Sequence, residues 1–187
     1  MINRKIRILL YGSNLWYLGA GLLGPLFAVF TESIGGDILD IVWAWSVYLL
    51  VTGILIIIIG NVSDEKKRKE KLMVIGFVIN AVFSFAYLLV SSPFHLLFVE
   101  AGLGVAVALA TPTYDALYSL YGDRKQKGYG WGLQDGEEYI FSAIGVIIGG
   151  FIVTYFGFRT LFVLMGIIQI IAAFFVAKII VSTRQLK

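Results

Sequence analysis

Six long apolar segments alternate with short polar connections along the chain. A transmembrane helix needs about 20 predominantly apolar residues, because the hydrocarbon core of a bilayer is about 30 Å thick. The apolar segments cover residues 6–30, 41–60, 72–90, 94–121, 131–156 and 160–181. This pattern predicts an all-α membrane protein in which a single domain, residues 1–187, crosses the bilayer six times. Gly24 and Pro25 predict a bend in the first span.

The composition agrees with a membrane protein. Of the 187 residues, 59% are hydrophobic and 14% are charged, whereas soluble domains average about 45–50% apolar and about 25% charged residues. The chain contains no cysteine. Disulfides, thiolate metal sites and cysteine nucleophiles are therefore excluded.

The basic residues lie almost entirely on one side of the expected membrane domain. When alternate connections are assigned to opposite sides, 14 of the 15 Lys and Arg residues fall on one side and Arg159 alone falls on the other. Cytoplasmic loops carry an excess of Lys and Arg. We therefore expect both termini in the cytoplasm and a multi-pass protein of the plasma or inner membrane, in contact with membrane lipid. Since topology accounts for these charges, no nucleic-acid partner is expected.

The sequence lacks the side chains on which several classes of six-span protein depend. No span carries Arg at every third position, as a voltage sensor does, and the single histidine, His95, lies at the end of span four. We expect no catalytic residue, no cofactor and no metal site. Asp135, Glu137 and Glu138 leave metal transport open, but a site made only of oxygen ligands would select weakly among transition metals.

A motif between the second and third spans points to a known family. Residues 60–64, Gly-Asn-Val-Ser-Asp, and the basic cluster 66–69 resemble the G-x-(L/V)-(A/S)-D-R-x-G-R-R motif of the major facilitator superfamily in sequence and position. Glu65 and Lys67 depart from that motif. The resemblance implies a cytoplasmic latch between two six-helix halves, and a solvated basic loop is the alternative. The latch residues are Gly60, Asp64 and Arg68.

Spans four and five carry two further resemblances to the same family. Gly102, Gly104 and then Pro112 in span four are similar to its G-x-G and following proline. Residues 145–150 of span five are similar to its G-P-x-x-G-G motif, with valine in place of the proline. The chain thus resembles one N-terminal-type six-helix half, built from two three-helix repeats. Three glycines of span five should let helices pack closely: Gly145, Gly149 and Gly150.

Known members of the family have two such halves, with the substrate bound between them near the midplane of the membrane. The resemblance therefore implies secondary transport by alternating access.

One face of span four is polar. At 100° per residue, five side chains fall within about 60° of one another. They are Glu100, Gly104, Thr111, Asp115 and Tyr118. Glu100 is expected to be a protonation or cation site, or a neutral carboxyl that joins span four to a neighbouring helix. Asp115 is expected to be a coupling acid, or to close a cytoplasmic gate by an ion pair with Arg68 or Arg124.

Spans one and five supply the other candidate residues of a transport cavity. Asn14 and Tyr17 lie on one rough face of span one. Glu137 and Glu138 are adjacent in span five, so at most one of them points straight at the cavity. If they approach Asp115, burial and like-charge repulsion would favour uptake of a proton. Two amides are expected away from the cavity, as packing contacts: Asn80 and Gln169.

Together these features predict a half-sized secondary transporter that moves a small solute by alternating access as a parallel homodimer. Proton coupling through the membrane carboxyls is a further expectation. A hetero-dimeric or truncated transporter half is one alternative. A non-transporting membrane scaffold with the same fold is the other.

Overall fold

A computed structural model describes residues 3–65, 69–123 and 127–184, and no strand occurs in these ranges. Within these ranges, six α-helices and one 3₁₀ turn follow one another. They are α1 (Arg4–Leu23), α2 (Leu26–Ser33), α3 (Ile38–Glu65), α4 (Lys69–Ala86), the 3₁₀ turn (Tyr87–Leu89), α5 (Pro93–Tyr121) and α6 (Lys127–Arg184).

The first predicted span is a bent pair of helices. Asn3 caps α1, because its side-chain oxygen accepts the N–H of Ile6 at 2.9 Å. Gly24 ends α1 and Pro25 precedes α2, and the two helices meet at an angle of 48°. The bend predicted at Gly24 and Pro25 is therefore confirmed.

Helix α3 is longer than the second predicted span at both ends. It begins at Ile38 and continues to Glu65, whereas the apolar pattern predicted residues 41–60. At its start, the Asp37 carboxylate accepts the N–H groups of Leu39 and Asp40 at 2.8 and 3.0 Å. These contacts satisfy backbone donors that a helix end leaves free.

Helix α6 contains a break at Gly157, where φ is 79° and ψ is 171°. Its two arms, residues 127–156 and 158–184, run in opposite directions along α1. On the first arm, Gly145 contacts Leu18 and Gly149 contacts Leu22. Residue numbers in α1 and in this arm therefore increase in the same direction. On the second arm the order is reversed, because Gly12 meets Val176 whereas Gly19 meets Gln169. The chain therefore turns back at Gly157.

Four of the described helices are long and apolar enough to cross a membrane, or five when the bent pair is counted as one span. The stretch Gly128–Ile180, which contains both arms of α6, is counted as one of these helices.

The helices pack around α1, α4 and α5. Both arms of α6 lie along α1, α3 packs on α5, and α4 contacts α5 and α6. Two buried apolar clusters occupy opposite ends of the bundle. One contains Leu9, Met73 and Leu117, and the other contains Leu22, Phe30 and Leu161.

The glycines of the family-like motifs differ in their surroundings. An added Cβ on Gly102 would overlap the Phe83 ring, and one on Gly104 would lie 2.9 Å from the carbonyl oxygen of Tyr48. Cβ atoms on Gly145 and Gly149 would overlap the α1 backbone. Gly150 differs from the prediction, since its Cβ would meet no atom of the described residues within 4 Å. Gly150 therefore makes no close helix contact within this part of the chain.

Pro112 lies inside α5 without ending it. A proline has no N–H with which to continue the helical hydrogen bonds. The hydroxyl of the next residue, Thr113, donates to the carbonyls of Leu109 at 2.6 Å and Ala110 at 2.9 Å.

Candidate functional site

Two adjacent cavities lie among the helices, and they share the side chains of Trp16, Tyr48 and Val107. We call them the Asp115 cavity and the Glu100 cavity. Each is named after a carboxyl group in α5, and the two carboxyls are separated by about 22 Å of helical rise. The polar face predicted for span four therefore contributes Glu100 to one cavity and Thr111 and Asp115 to the other, whereas Gly104 and Tyr118 line neither.

The Asp115 cavity has a volume of about 250 Å³ and is bounded by α1, α3, α4, α5 and the first arm of α6. Its polar lining residues are Ser13, Tyr17, Thr111, Tyr114, Asp115, Gln134 and Glu138. Thr111 is exposed, and Asp115 and Glu138 are half-buried. Four of the predicted cavity residues thus meet here: Tyr17, Thr111, Asp115 and Glu138.

Carboxyl groups are concentrated at the Asp115 cavity. Asp135 and Glu138 are the electrostatic neighbours of Asp115, and the Tyr17 hydroxyl is the hydrogen-bonding neighbour of the Glu138 carboxyl. Like charge and burial both disfavour simultaneous ionisation of neighbouring carboxyl groups. This arrangement can bind and release a proton.

Asn14 and Glu137 form a bridge between helices beside this cavity. The Asn14 side-chain amide donates to the Glu137 carboxylate at 2.7 Å, which ties α1 to the first arm of α6. Neither residue lines either cavity. Of the two adjacent glutamates, Glu138 points to the cavity and Glu137 to α1.

The Glu100 cavity has a volume of about 270 Å³. Glu100 is buried, with 3% of its surface exposed, and its Oε1 accepts a hydrogen bond from the Tyr87 hydroxyl. Most of the remaining wall is aromatic or apolar and includes Trp16, Trp45 and Tyr48.

Asn80 and Gln169 also line the Glu100 cavity, contrary to the prediction that they lie away from it. Gln169 does contribute to packing, since its amide donates to the carbonyl of Trp16 at 2.9 Å. However, the Asn80 Nδ2 and Gln169 Oε1 atoms have no hydrogen-bond partner among the described residues. The prediction was wrong because the rotation of each helix about its axis, which decides where an amide points, is set by tertiary packing.

Three expectations involve residues that lie wholly or partly outside the described part of the chain. Asp64 lies in α3, but its side chain is outside the described residues, as are Arg68 and Arg124 altogether. The latch and the ion pair of Asp115 with either arginine therefore stay predictions. Gly60 is described, and an added Cβ would meet no atom of the described residues within 4 Å.

Several residues that line the cavities could not be recognised as cavity residues from the sequence. Ser13, Tyr48 and Tyr114 were not singled out, because small hydroxyls and tyrosines are common in ordinary transmembrane packing. Tyr87 lies 13 residues before Glu100, and the turn between spans three and four brings the two side chains together. Their role follows from tertiary packing.

Comparison with known proteins identifies the family. The model of the Major Facilitator Superfamily matches residues 9–186. An uncharacterised MFS-type transporter of Methanocaldococcus jannaschii is 25% identical over 156 residues, which are 83% of this chain and 40% of that protein. The chain thus spans about 40% of the length of this curated relative. It belongs to the major facilitator superfamily.

Proposed function

We propose that this chain moves a small solute across the membrane by alternating access and that it works as a parallel homodimer. The observation that supports this most strongly is the partial exposure of the Asp115 cavity. Thr111, Asp115 and Glu138 are exposed or half-buried on helices that are otherwise covered with apolar side chains. Carboxyl groups at such positions avoid lipid and face protein or a water-filled cavity.

The proposed topology has six crossings with both termini in the cytoplasm. The bent α1–α2 pair supplies one crossing, and the reversal at Gly157 allows each arm of α6 to supply another. Together with α3, α4 and α5 this makes six. The one-sided distribution of Lys and Arg supports this orientation. In this topology the proposed latch of Asp64 and Arg68 would lie on the cytoplasmic side.

The dimer is supported by the helices that flank the cavities. Helix α3 packs on α5, and the first arm of α6 packs on α1, so these two elements lie on opposite flanks. A two-fold axis normal to the membrane would bring α3 of one copy against the first arm of α6 of the other. Both expose large apolar side chains, including Leu49 in α3 and Ile147 in α6. The two cavities would then face their counterparts across the axis.

Proton coupling is proposed for the Asp115 cavity. Asp115, Asp135 and Glu138 are mutual neighbours there. A proton held within this group would reduce its repulsion, and release of the proton would restore it. The carboxyl cluster would thereby link the conformational cycle to a proton gradient.

Cysteine cross-linking tests the dimer, and the chain has no native cysteine that would interfere. Leu49 and Ala143 are both exposed and lie about 24 Å from the proposed cytoplasmic ends of their helices. We expect a Leu49→Cys, Ala143→Cys double variant in liposomes to form covalent dimers with a short thiol cross-linker. Phe174→Cys, exposed on the second arm of α6, is the control and should remain monomeric.

Native mass spectrometry of the unaltered protein provides the matching measurement. A mass of two copies is expected. A monomer at every concentration, or a stoichiometric second membrane protein in a preparation from native membrane, would overturn the homodimer. In the second case the hetero-dimeric alternative would replace it.

A further inference from the structure

The Glu100 cavity contains a single charged group. Glu100 is the one residue among the lining side chains that is an Asp, Glu, Lys, Arg or His, and no Lys, Arg or His of the described residues neighbours it. The Tyr87 hydroxyl donates to Oε1, which leaves Oε2 for another donor. A buried carboxylate without a protein cation attracts a cationic ligand, because the low surrounding dielectric strengthens the interaction.

Two buried amide groups in the same cavity have unused hydrogen-bonding capacity. Asn80 is 6% exposed and Gln169 is 1% exposed, and their Nδ2 and Oε1 atoms have no partner among the described residues. Buried polar atoms in proteins are nearly always hydrogen-bonded. Here Nδ2 can donate and Oε1 can accept, so the cavity complements a ligand that carries both kinds of group.

The walls of the cavity favour a compact ligand with an apolar or aromatic body. Trp16, Trp45 and Tyr48 provide π surfaces that attract organic cations as well as flat apolar groups. The volume of about 270 Å³ lies just below the range of about 300–1,000 Å³ that is typical of drug-sized ligands. An anion would find no basic side chain in this lining.

We propose that the Glu100 cavity binds a small monovalent organic cation, namely a protonated amine with an apolar or aromatic body and at least one further hydrogen-bonding group. The ammonium pairs with Glu100, and the polar group meets Asn80 and Gln169. This assignment rests on the proposed transport function and names the substrate class of that site.

A series of three ligands with one scaffold tests the charge requirement on the unaltered protein. The ligands are tyramine, its neutral analogue tyrosol and its anionic analogue 4-hydroxyphenylacetate. Binding to protein in nanodiscs is measured by calorimetry and by quenching of tryptophan fluorescence, since Trp16 and Trp45 line the cavity. Because a hydrogen bond to a charged group contributes about 1.5–3 kcal/mol, tyramine should bind at least about tenfold more tightly than tyrosol. The anion should bind more weakly still.

Substitution of Glu100 tests the location. Glu100→Gln should weaken tyramine binding at least about tenfold and leave tyrosol binding within about twofold. Glu32→Gln removes a carboxylate from an exposed position and should leave both affinities unchanged. Gln169→Leu should weaken tyramine more than phenethylamine, which lacks the hydroxyl group. If Glu100→Gln fails to fold, the ligand series and Gln169→Leu still decide the matter.

Three results would overturn the substrate class: no saturable tyramine binding up to about 10 mM, equal affinity for tyramine and tyrosol, or preference for the anion. These outcomes are separable from failure of the transport proposal. A protein that forms the cross-linked dimer but does not bind tyramine retains the proposed function and loses this substrate class. A protein that binds tyramine but does not carry it across liposomes retains the site and loses the transport function.

Discussion

Two neighbouring glycines in α6 have opposite surroundings. A Cβ on Gly149 would overlap the backbone of Leu22, whereas a Cβ on Gly150 would meet no atom of the described residues within 4 Å. We expect Gly149→Ala to destabilise the protein by about 1–3 kcal/mol, because α1 and α6 would have to separate. Gly150→Ala should keep or raise Tm, since alanine favours a helix over glycine by about 1 kcal/mol.

Thermal unfolding of the two variants in the same detergent measures this difference. A change of 1 kcal/mol corresponds to about 2–4 °C for a chain of this size. Equal Tm values for the two variants would contradict the close packing of α1 on the first arm of α6.

At the scale of residues, three of the four carboxyl groups that the sequence assigned to a cavity line one, and Glu137 does not. Glu100, Asp115 and Glu138 were identified because an acid in an apolar span is costly unless it faces protein or water, and all three line the cavities. The amides Asn80 and Gln169 could not be placed in the same way. An amide is tolerated both in helix packing and in a cavity, so its location depends on how its helix is rotated.

At the scale of elements, the ends of the helices are set by proline and glycine residues more than by the points at which the apolar segments end. Helix α5 runs from Pro93 to Tyr121, within one residue of the predicted span, because Pro93 presets the first turn and Gly122 follows the last. Helix α3 continues through the polar residues 61–65, where no proline interrupts it. Hydropathy locates the part of a helix that lies in lipid, and α3 extends beyond that part.

Gly157 determines how the two arms of α6 are joined. Its φ of 79° and ψ of 171° lie in a region that is essentially restricted to glycine, where another residue costs about 1–3 kcal/mol. A Cβ there would meet no atom of the described residues within 4 Å, so the cost arises from the backbone alone. We expect Gly157→Ala to lower Tm, as measured by thermal unfolding in detergent.

The matched control is again Gly150→Ala, because Gly150 has helical geometry and the same open surroundings. If Gly157→Ala unfolds at the same temperature as this control, the chain reversal does not depend on the special conformation of Gly157.

At the scale of the whole molecule, the sequence predicts membrane helices but not their arrangement. Apolar length identifies the spans, and charge asymmetry suggests their orientation. The partners of each helix are not encoded in the same simple way, because the surface that faces lipid is as apolar as the surface that packs. Helix α3 shows this, since Ile54 and Ile57 are largely exposed whereas Ala44 in the same helix is fully buried.

The separation of the two cavities predicts that solute binding and proton coupling respond to different substitutions. A pH difference of one unit is equivalent to about 1.4 kcal/mol per proton, which corresponds to about tenfold accumulation of a coupled solute. We therefore expect a pH gradient to drive uptake of radiolabelled tyramine into proteoliposomes that contain the unaltered protein. Asp115→Asn should abolish this gradient-driven accumulation and retain tyramine binding, because Asp115 lies outside the Glu100 cavity.

The carboxyl and phenol groups around Asp115 define the controls for this experiment. Asp135, Glu138, Tyr17, Tyr114 and Glu137 surround the site from α1, α5 and the first arm of α6. Glu138→Gln should reduce the response to the gradient as Asp115→Asn does, whereas Glu32→Gln, at an exposed position, should not. The gradient is applied in both directions, so that either symport or antiport is detected. Accumulation that depends on the gradient to the same extent in all three variants would show that the Asp115 cavity does not carry the proton.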